Sequence, residues 1–202
     1  MKYIITKSQY DLLMEQEQEV LYIPSVELFG DWNTLQEFLK NRGNPPYSIG
    51  GDLSFRNTPV TSLGNLTSVG GYLDLSSTPI SSLGNLTSVG GNLYLRGSKK
   101  IISLGNLTSV GGFLDLKGVE ISSLGNLTSV GGDFDMYSSK ISSLGNLTSV
   151  GGFLDLNGNK ISSLGNLTSV GGWLDLSDTP LSKKMYEKEI REKVEIGGSL
   201  YL

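Results

Sequence analysis

Ser62-Leu63-Gly64-Asn65-Leu66-Thr67-Ser68-Val69-Gly70-Gly71 decides the fold, because the same ten letters begin again at Ser82, Ser103, Ser123, Ser143 and Ser163. The copies are twenty residues apart, except for one step of twenty-one where Lys99 and Lys100 carry an insertion. A fixed period of that size means one supersecondary unit stacked on copies of itself. Each unit meets only its neighbours, so the chain builds a regular frame with one long face.

Working outward from that string, the whole unit is Gly-Gly-x-Leu-x-Leu, four variable residues, then Ile-Ser-Ser-Leu-Gly-Asn-Leu-Thr-Ser-Val. Eight glycine pairs open it, at Gly50, Gly70, Gly90, Gly111, Gly131, Gly151, Gly171 and Gly197. The alternation after each pair, as in Leu73 and Leu75 or Phe134 and Met136, is that of a half-buried strand. Other apolar positions, such as Ile80, Leu83, Leu86 and Val89, recur every three residues and predict a mostly irregular return around the same core.

The flanks differ from the array. In 1–49, which carries no repeat, Ser8 can cap a short helix through Leu12, Leu13 and Met14, and Val20 to Ile23 has strand character closed by Pro24. Asp31 can cap a helix with Leu35, Phe38 and Leu39 on one face. At the far end, Ser182 can cap a helix from Lys183 to Val194, ahead of a last strand. The expectation is one structural domain: a non-repetitive N-terminal cap over 1–49, an array over 50–181, and a helical C-terminal cap with the final strand over 182–202.

Composition narrows function. The net charge of −4 offers nothing to a polyanion, which argues against nucleic acid or an anionic membrane as partner. The chain has no cysteine and no histidine, so thiol nucleophiles, thiolate metal sites and the commonest general base are missing. The expectation is a non-enzymatic protein with no cofactor. MKYIITKSQYDLL lacks the apolar core and cleavage site of a secretory signal, which predicts a cytoplasmic protein, or one packaged in a virion.

Leu73-Asp74-Leu75-Ser76-Ser77-Thr78-Pro79-Ile80-Ser81-Ser82-Leu83 resembles the strand and turn of leucine-rich repeats. The twenty-residue length is similar to the short repeats of bacterial secreted effectors, and the non-repetitive head and KEIREKVEIGGSLYL tail resemble bacteriophage-encoded repeat proteins. The resemblance covers roughly residues 48–202. It implies an α/β-type leucine-rich-repeat solenoid with one short parallel strand per coil, eight strands in all, and a face that binds rather than catalyses. Two features depart from the family: its turn asparagine is replaced by a mixture such as Ser77-Thr78 or Asp178-Thr179, and its return prolines by Leu-Gly-Asn-Leu. A right-handed parallel β-helix, with three short sheets, is the rival fold.

In such a strand the leucines point inward and the residues between them outward, stacking in columns about 4.8 Å apart. The first outward column runs Asp52, Tyr72, Asn92, Phe113, Asp133, Phe153, Trp173, Ser199. The second runs Ser54, Asp74, Tyr94, Asp115, Asp135, Asp155, Asp175, Tyr201. The third runs Arg56, Ser76, Arg96, Lys117, Tyr137, Asn157, Ser177. The return is nearly invariant while these columns vary, and a drifting solvated surface would not accumulate Tyr72, Tyr94, Phe113, Tyr137, Phe153 and Trp173. Together with Asp74, Asp115, Asp133, Asp135, Asp155 and Asp175 they are the candidate partner-binding residues of an acidic, aromatic concave face. The aspartate column has three readings: a solvated stripe, a cationic protein or peptide partner with a basic patch, or calcium between neighbouring carboxylates. A structural part that packs against itself or other particle proteins is the alternative function.

Overall fold

The computed structural model describes residues 20–202, in which the chain winds as a parallel-strand β-solenoid. Each turn, numbered here one to eight by its glycine pair, contributes a rung to two sheets that meet at that pair. One sheet has nine strands: Leu21–Ile23, Tyr47–Ile49, Leu66–Val69, Ser88–Val89, Ser109–Val110, Ser129–Val130, Ser149–Val150, Ser169–Val170 and Glu195–Ile196. The other has eight: Leu53–Ser54, Leu73–Asp74, Leu93–Tyr94, Leu114–Asp115, Phe134–Asp135, Leu154–Asp155, Leu174–Asp175 and Leu200–Tyr201. The eight strands expected from the leucine alternation form this second sheet, which we call the leucine sheet.

Register is strict throughout the leucine sheet, and in the serine–valine sheet from the Ser48–Ser68 pair onward, after one irregularity between Tyr47 and Ser48. Leu53, Leu73, Leu93, Leu114, Phe134, Leu154, Leu174 and Leu200 are successive partners in the leucine sheet. Val69, Val89, Val110, Val130, Val150, Val170 and Ile196 are successive partners in the serine–valine sheet. The return is mostly irregular, as expected, but it holds the two-residue serine–valine strand and is ordered from turn to turn. Its Thr87, Thr108, Thr128, Thr148 and Thr168 each send an N–H at 2.8 Å to the threonine carbonyl one turn earlier. Their hydroxyls donate to the same carbonyls, so a threonine ladder leads into each serine–valine strand. Among the described residues the third side has only an isolated bridge, Ser103 to Ser123, instead of the third sheet of the rival expectation.

Close approach explains the glycine pair. A Cβ on Gly131 would run into the carbonyl oxygen of Gly111, and one on Gly132 would lie 2.8 Å from the Gly112 carbonyl carbon. The same collision recurs from Gly70 to Gly197, so the backbone can turn between sheets only where no side chain exists. After each of the first seven leucine strands a second constraint appears: residues 57, 77, 97, 118, 138, 158 and 178 all have positive φ, between 57° and 79°. Glycine, asparagine and aspartate suit that column because a left-handed turn is needed there, while Ser77 and Ser138 hold it at a steric cost.

The core is one continuous cluster of the strand leucines and the return residues, with Leu73, Leu114, Phe134, Leu154 and Leu174 fully buried. Beside it runs a buried polar column. Thr78, Ser98, Ser139, Asn159 and Thr179 each donate to the carbonyl of the residue just after a leucine-sheet strand, for example Ser139 to Leu116 at 2.8 Å and Asn159 to Met136 at 2.7 Å. The ladder mixes threonine, serine and asparagine, and the buried Val119 interrupts it in turn four. In the returns, Ser123 Oγ accepts the Gly125 N–H at 3.0 Å, and Asn106 and Asn166 each reach the carbonyl of an earlier turn at 3.3 Å.

Helices are few. The expected helix capped by Ser8 lies outside the described residues. Asp31 caps α1 (Trp32–Lys40) through the Thr34 N–H at 2.7 Å, and buries Leu35 and Leu39 against the first turns. The C-terminal helix α2 (Glu187–Arg191) is shorter than the expected span from Lys183 to Val194. Ser182 lies outside it, because Tyr186 is the N-cap residue; the Ser182 hydroxyl donates to the Thr179 carbonyl and its N–H to Thr179 Oγ1.

Candidate functional site

The outward face of the leucine sheet gathers the predicted residues on one side of the solenoid. Every one of them occupies a position flanking a buried strand leucine, phenylalanine or methionine, and all are half-buried except Tyr72 and Tyr137, which are exposed.

Five rings form a continuous ladder over turns three to eight. Tyr94 meets Phe113 edge-on at 6.0 Å between centroids, and Phe113 leans to Phe153 at 6.4 Å, over the intervening Asp133. Phe153 and Trp173 are stacked at 4.3 Å, 2° from parallel, and Trp173 meets Tyr201 edge-on at 6.1 Å. Tyr201 was not among the residues expected at the site; its place at the end of the second column is the signal that could have found it. Tyr72 makes no ring contact among the described residues.

The first column alternates for a backbone reason. Asp52 Oδ1 accepts the Tyr72 N–H at 2.9 Å, Asn92 Oδ1 that of Phe113 at 2.8 Å, and Asp133 Oδ1 that of Phe153 at 3.0 Å. An acceptor in one turn thus serves the amide of the aromatic residue in the next. Asp133 has this structural duty whatever else it does.

The second column also has a local duty. Asp74, Asp115, Asp135, Asp155 and Asp175 each use Oδ1 to accept the N–H two residues on, at 2.8–3.0 Å. These are Asx turns, and they account for aspartate at the strand ends. The repulsion between stacked carboxylates remains. Asp155 is held above the ordinary carboxylate range, first by burial and then by Asp135 and Asp175. Asp115 is raised in the same way, with burial again foremost and Asp135 adding to it.

Lys117 is a residue of the site that the expectation omitted. Its ammonium lies 4.0 Å from Asp135 Oδ2 and 5.0 Å from the centre of the Tyr137 ring. In the first turns, Arg56 and Arg96 join Tyr72, Asp74, Tyr94 and Asp115 around a shallow depression of about 790 Å³. A larger groove, about 930 Å³, runs along the serine–valine sheet, but it is lined by serine, valine and glycine, and its ionisable side chains are Tyr22 and Glu195 at its two ends. It offers no array of functional groups.

Among the described residues, no three acidic side chains converge as a metal ion's ligands, and no helix is long and apolar enough to cross a membrane. No protein-family model, no curated protein and no solved structure matches the chain.

Proposed function

We propose that the protein is a non-enzymatic recognition module that binds a protein or peptide along the outward face of its leucine sheet. One observation carries this reading: the ladder from Tyr94 to Tyr201 is a row of half-exposed rings on a frame that does not need them for its core. Apolar surface held open in a row is stabilised when a partner covers it, and aromatic side chains supply most of the energy at such interfaces. The solenoid is further read as a leucine-rich-repeat array. Support comes from the Leu73–Leu83 pattern and from the buried column of Thr78, Ser98, Ser139, Asn159 and Thr179, whose donors do the work of that family's turn asparagine. The segment around α1 acts as the N-terminal cap, since Trp32 packs on Phe55 at 4.7 Å between ring centroids.

The test is affinity capture from the organism that encodes the chain, run in parallel with a Phe153→Ser, Trp173→Ser protein. The expected result is a partner retained by the parent and lost by the variant, with both melting alike. Capture indifferent to the two substitutions overturns the reading. Concentration-dependent oligomers in light scattering, lost in the same variant, would assign the face to self-packing instead.

A further inference from the structure

Charge is distributed unevenly along the recognition face. In turns one to four the outward columns hold Asp52, Asp74 and Asp115 against Arg56, Arg96 and Lys117, so that half neutralises itself. In turns five to eight they hold Asp133, Asp135, Asp155 and Asp175 and no base. Lys117, from the last turn of the balanced half, already reaches across the boundary to Asp135 and the Tyr137 ring. Beyond it the supply of cations stops. Asp155 and Asp175 have no ion-pair partner within 4.0 Å among the described residues, and they adjoin the stacked pair Phe153 and Trp173.

We infer that turns six and seven form the anchoring subsite of the face, where a cationic side chain of a basic peptide segment bridges Asp155 and Asp175. The inference rests on the recognition reading and deepens it by naming the partner's chemistry. Three observations favour it. The two carboxylates are register partners in a parallel sheet, which spaces them by about 4.8 Å, a span that one ammonium or guanidinium group can bridge. Each commits only Oδ1 to its turn, which leaves Oδ2 for a ligand. Lys117 shows the mode one step earlier, a long basic side chain laid between a carboxylate and a ring. The aliphatic stem of the incoming side chain then covers part of the Phe153–Trp173 pair while its head meets the charges. The balanced first half contributes little to this attraction and serves instead to orient the bound segment.

Two synthetic twelve-residue peptides, one alternating lysine with glycine and one alternating arginine with glycine, probe the subsite, with a serine–glycine peptide as control. Trp173 reports locally by fluorescence once Trp32, the other tryptophan, is replaced by phenylalanine. Both basic peptides are expected to bind, with affinity falling as salt rises, and the serine peptide is not. Asp155→Asn with Asp175→Asn should weaken binding by about three- to thirtyfold. The fold survives the change because an asparagine Oδ1 accepts the same turn N–H. Lys117→Ala should tighten binding, by exposing Asp135 as a third carboxylate, whereas Arg96→Ala should change it less. Equal binding to the paired-asparagine variant, or equal effects of Lys117→Ala and Arg96→Ala, overturns the inference. A captured partner that needs Trp173 but is indifferent to the paired asparagines would leave the recognition reading standing and remove only this subsite.

Discussion

At Asp155 one oxygen accepts the Asn157 N–H at 2.9 Å, while the side chain lies half-buried between Asp135 and Asp175. Burial foremost, and then the two like charges, favour its protonated form, while the Asn157 N–H and, more weakly, Lys117 act the other way. A carboxyl raised in the folded state binds its proton more tightly there than in the unfolded chain. Its contribution therefore improves as pH falls through the raised value and is unfavourable at neutral pH. Asp155→Asn keeps the turn and removes the charge, so it should raise the melting temperature at pH 7, and the difference from the parent should vanish in acid. A variant less stable than the parent at pH 7 would show that the turn needs the charge itself. A second residue-scale case is Ser138, at φ 57°, where turns three, four and six use glycine. Ser138→Gly should stabilise by about 0.5–1 kcal/mol in urea denaturation, because glycine bears the left-handed conformation without steric cost. The outward columns were legible from the period alone, since strict register makes residues of equal phase into neighbours. That Asp74 to Asp175 are turn acceptors, and that Asp52, Asn92 and Asp133 serve the next turn's amide, was not legible, because an aspartate's charge is visible in a sequence and its hydrogen-bond partner is not.

Elements are short here, two to four residues for most strands, so their stability comes from pairing between turns. That is why the serine–valine sheet escaped the sequence. Thr-Ser-Val has no alternation long enough to announce a strand, and the threonine ladder that orders it runs only from turn to turn. The leucine strands were legible because Leu-x-Leu places two buried side chains in one rung. The C-terminal helix is shorter than its sequence suggests because Ser182 has capping chemistry but sits in a local turn with Thr179, and the helix begins only after Tyr186. The corner between sheets gives the sharpest prediction at this scale. Gly131→Ala would press a methyl group into the Gly111 carbonyl oxygen, which belongs to backbone on both sides and cannot rotate away. The expected cost is about 1–3 kcal/mol in chemical denaturation, with the strands of turns four and five splayed. Leu154→Ala, a buried cavity in the adjacent rung, should cost about 2–5 kcal/mol. A glycine substitution without measurable cost would mean that the two sheets do not meet at this corner.

Over the whole molecule, turns four to seven are near-equivalent, so stability should be close to a sum of turns and the interfaces between them. Removing residues 131–150 tests this directly, because it joins Val130 to Gly151 and leaves every remaining rung in phase. Strands Phe134–Asp135 and Ser149–Val150 disappear, and the sheets shorten to eight and seven strands from nine and eight. The interface that forms is chemically close to the one lost: Phe153 comes to lie directly above Phe113, and Asn159 takes over the Leu116 carbonyl that Ser139 served. One bond has no replacement, that from Phe153 N–H to Asp133, so the shortened protein should be modestly less stable. It should still unfold in one cooperative transition, with a urea m-value lower by about a tenth, because surface exposed on unfolding scales with chain length. Removing only residues 131–140 deletes half a turn and throws the leucines of turns six to eight onto the wrong side. That variant should not fold cooperatively. If both deletions behave alike, whether both folded or both disordered, registered stacking of twenty-residue turns is not what holds the chain together. The face built from those stacked columns would then lose its physical basis.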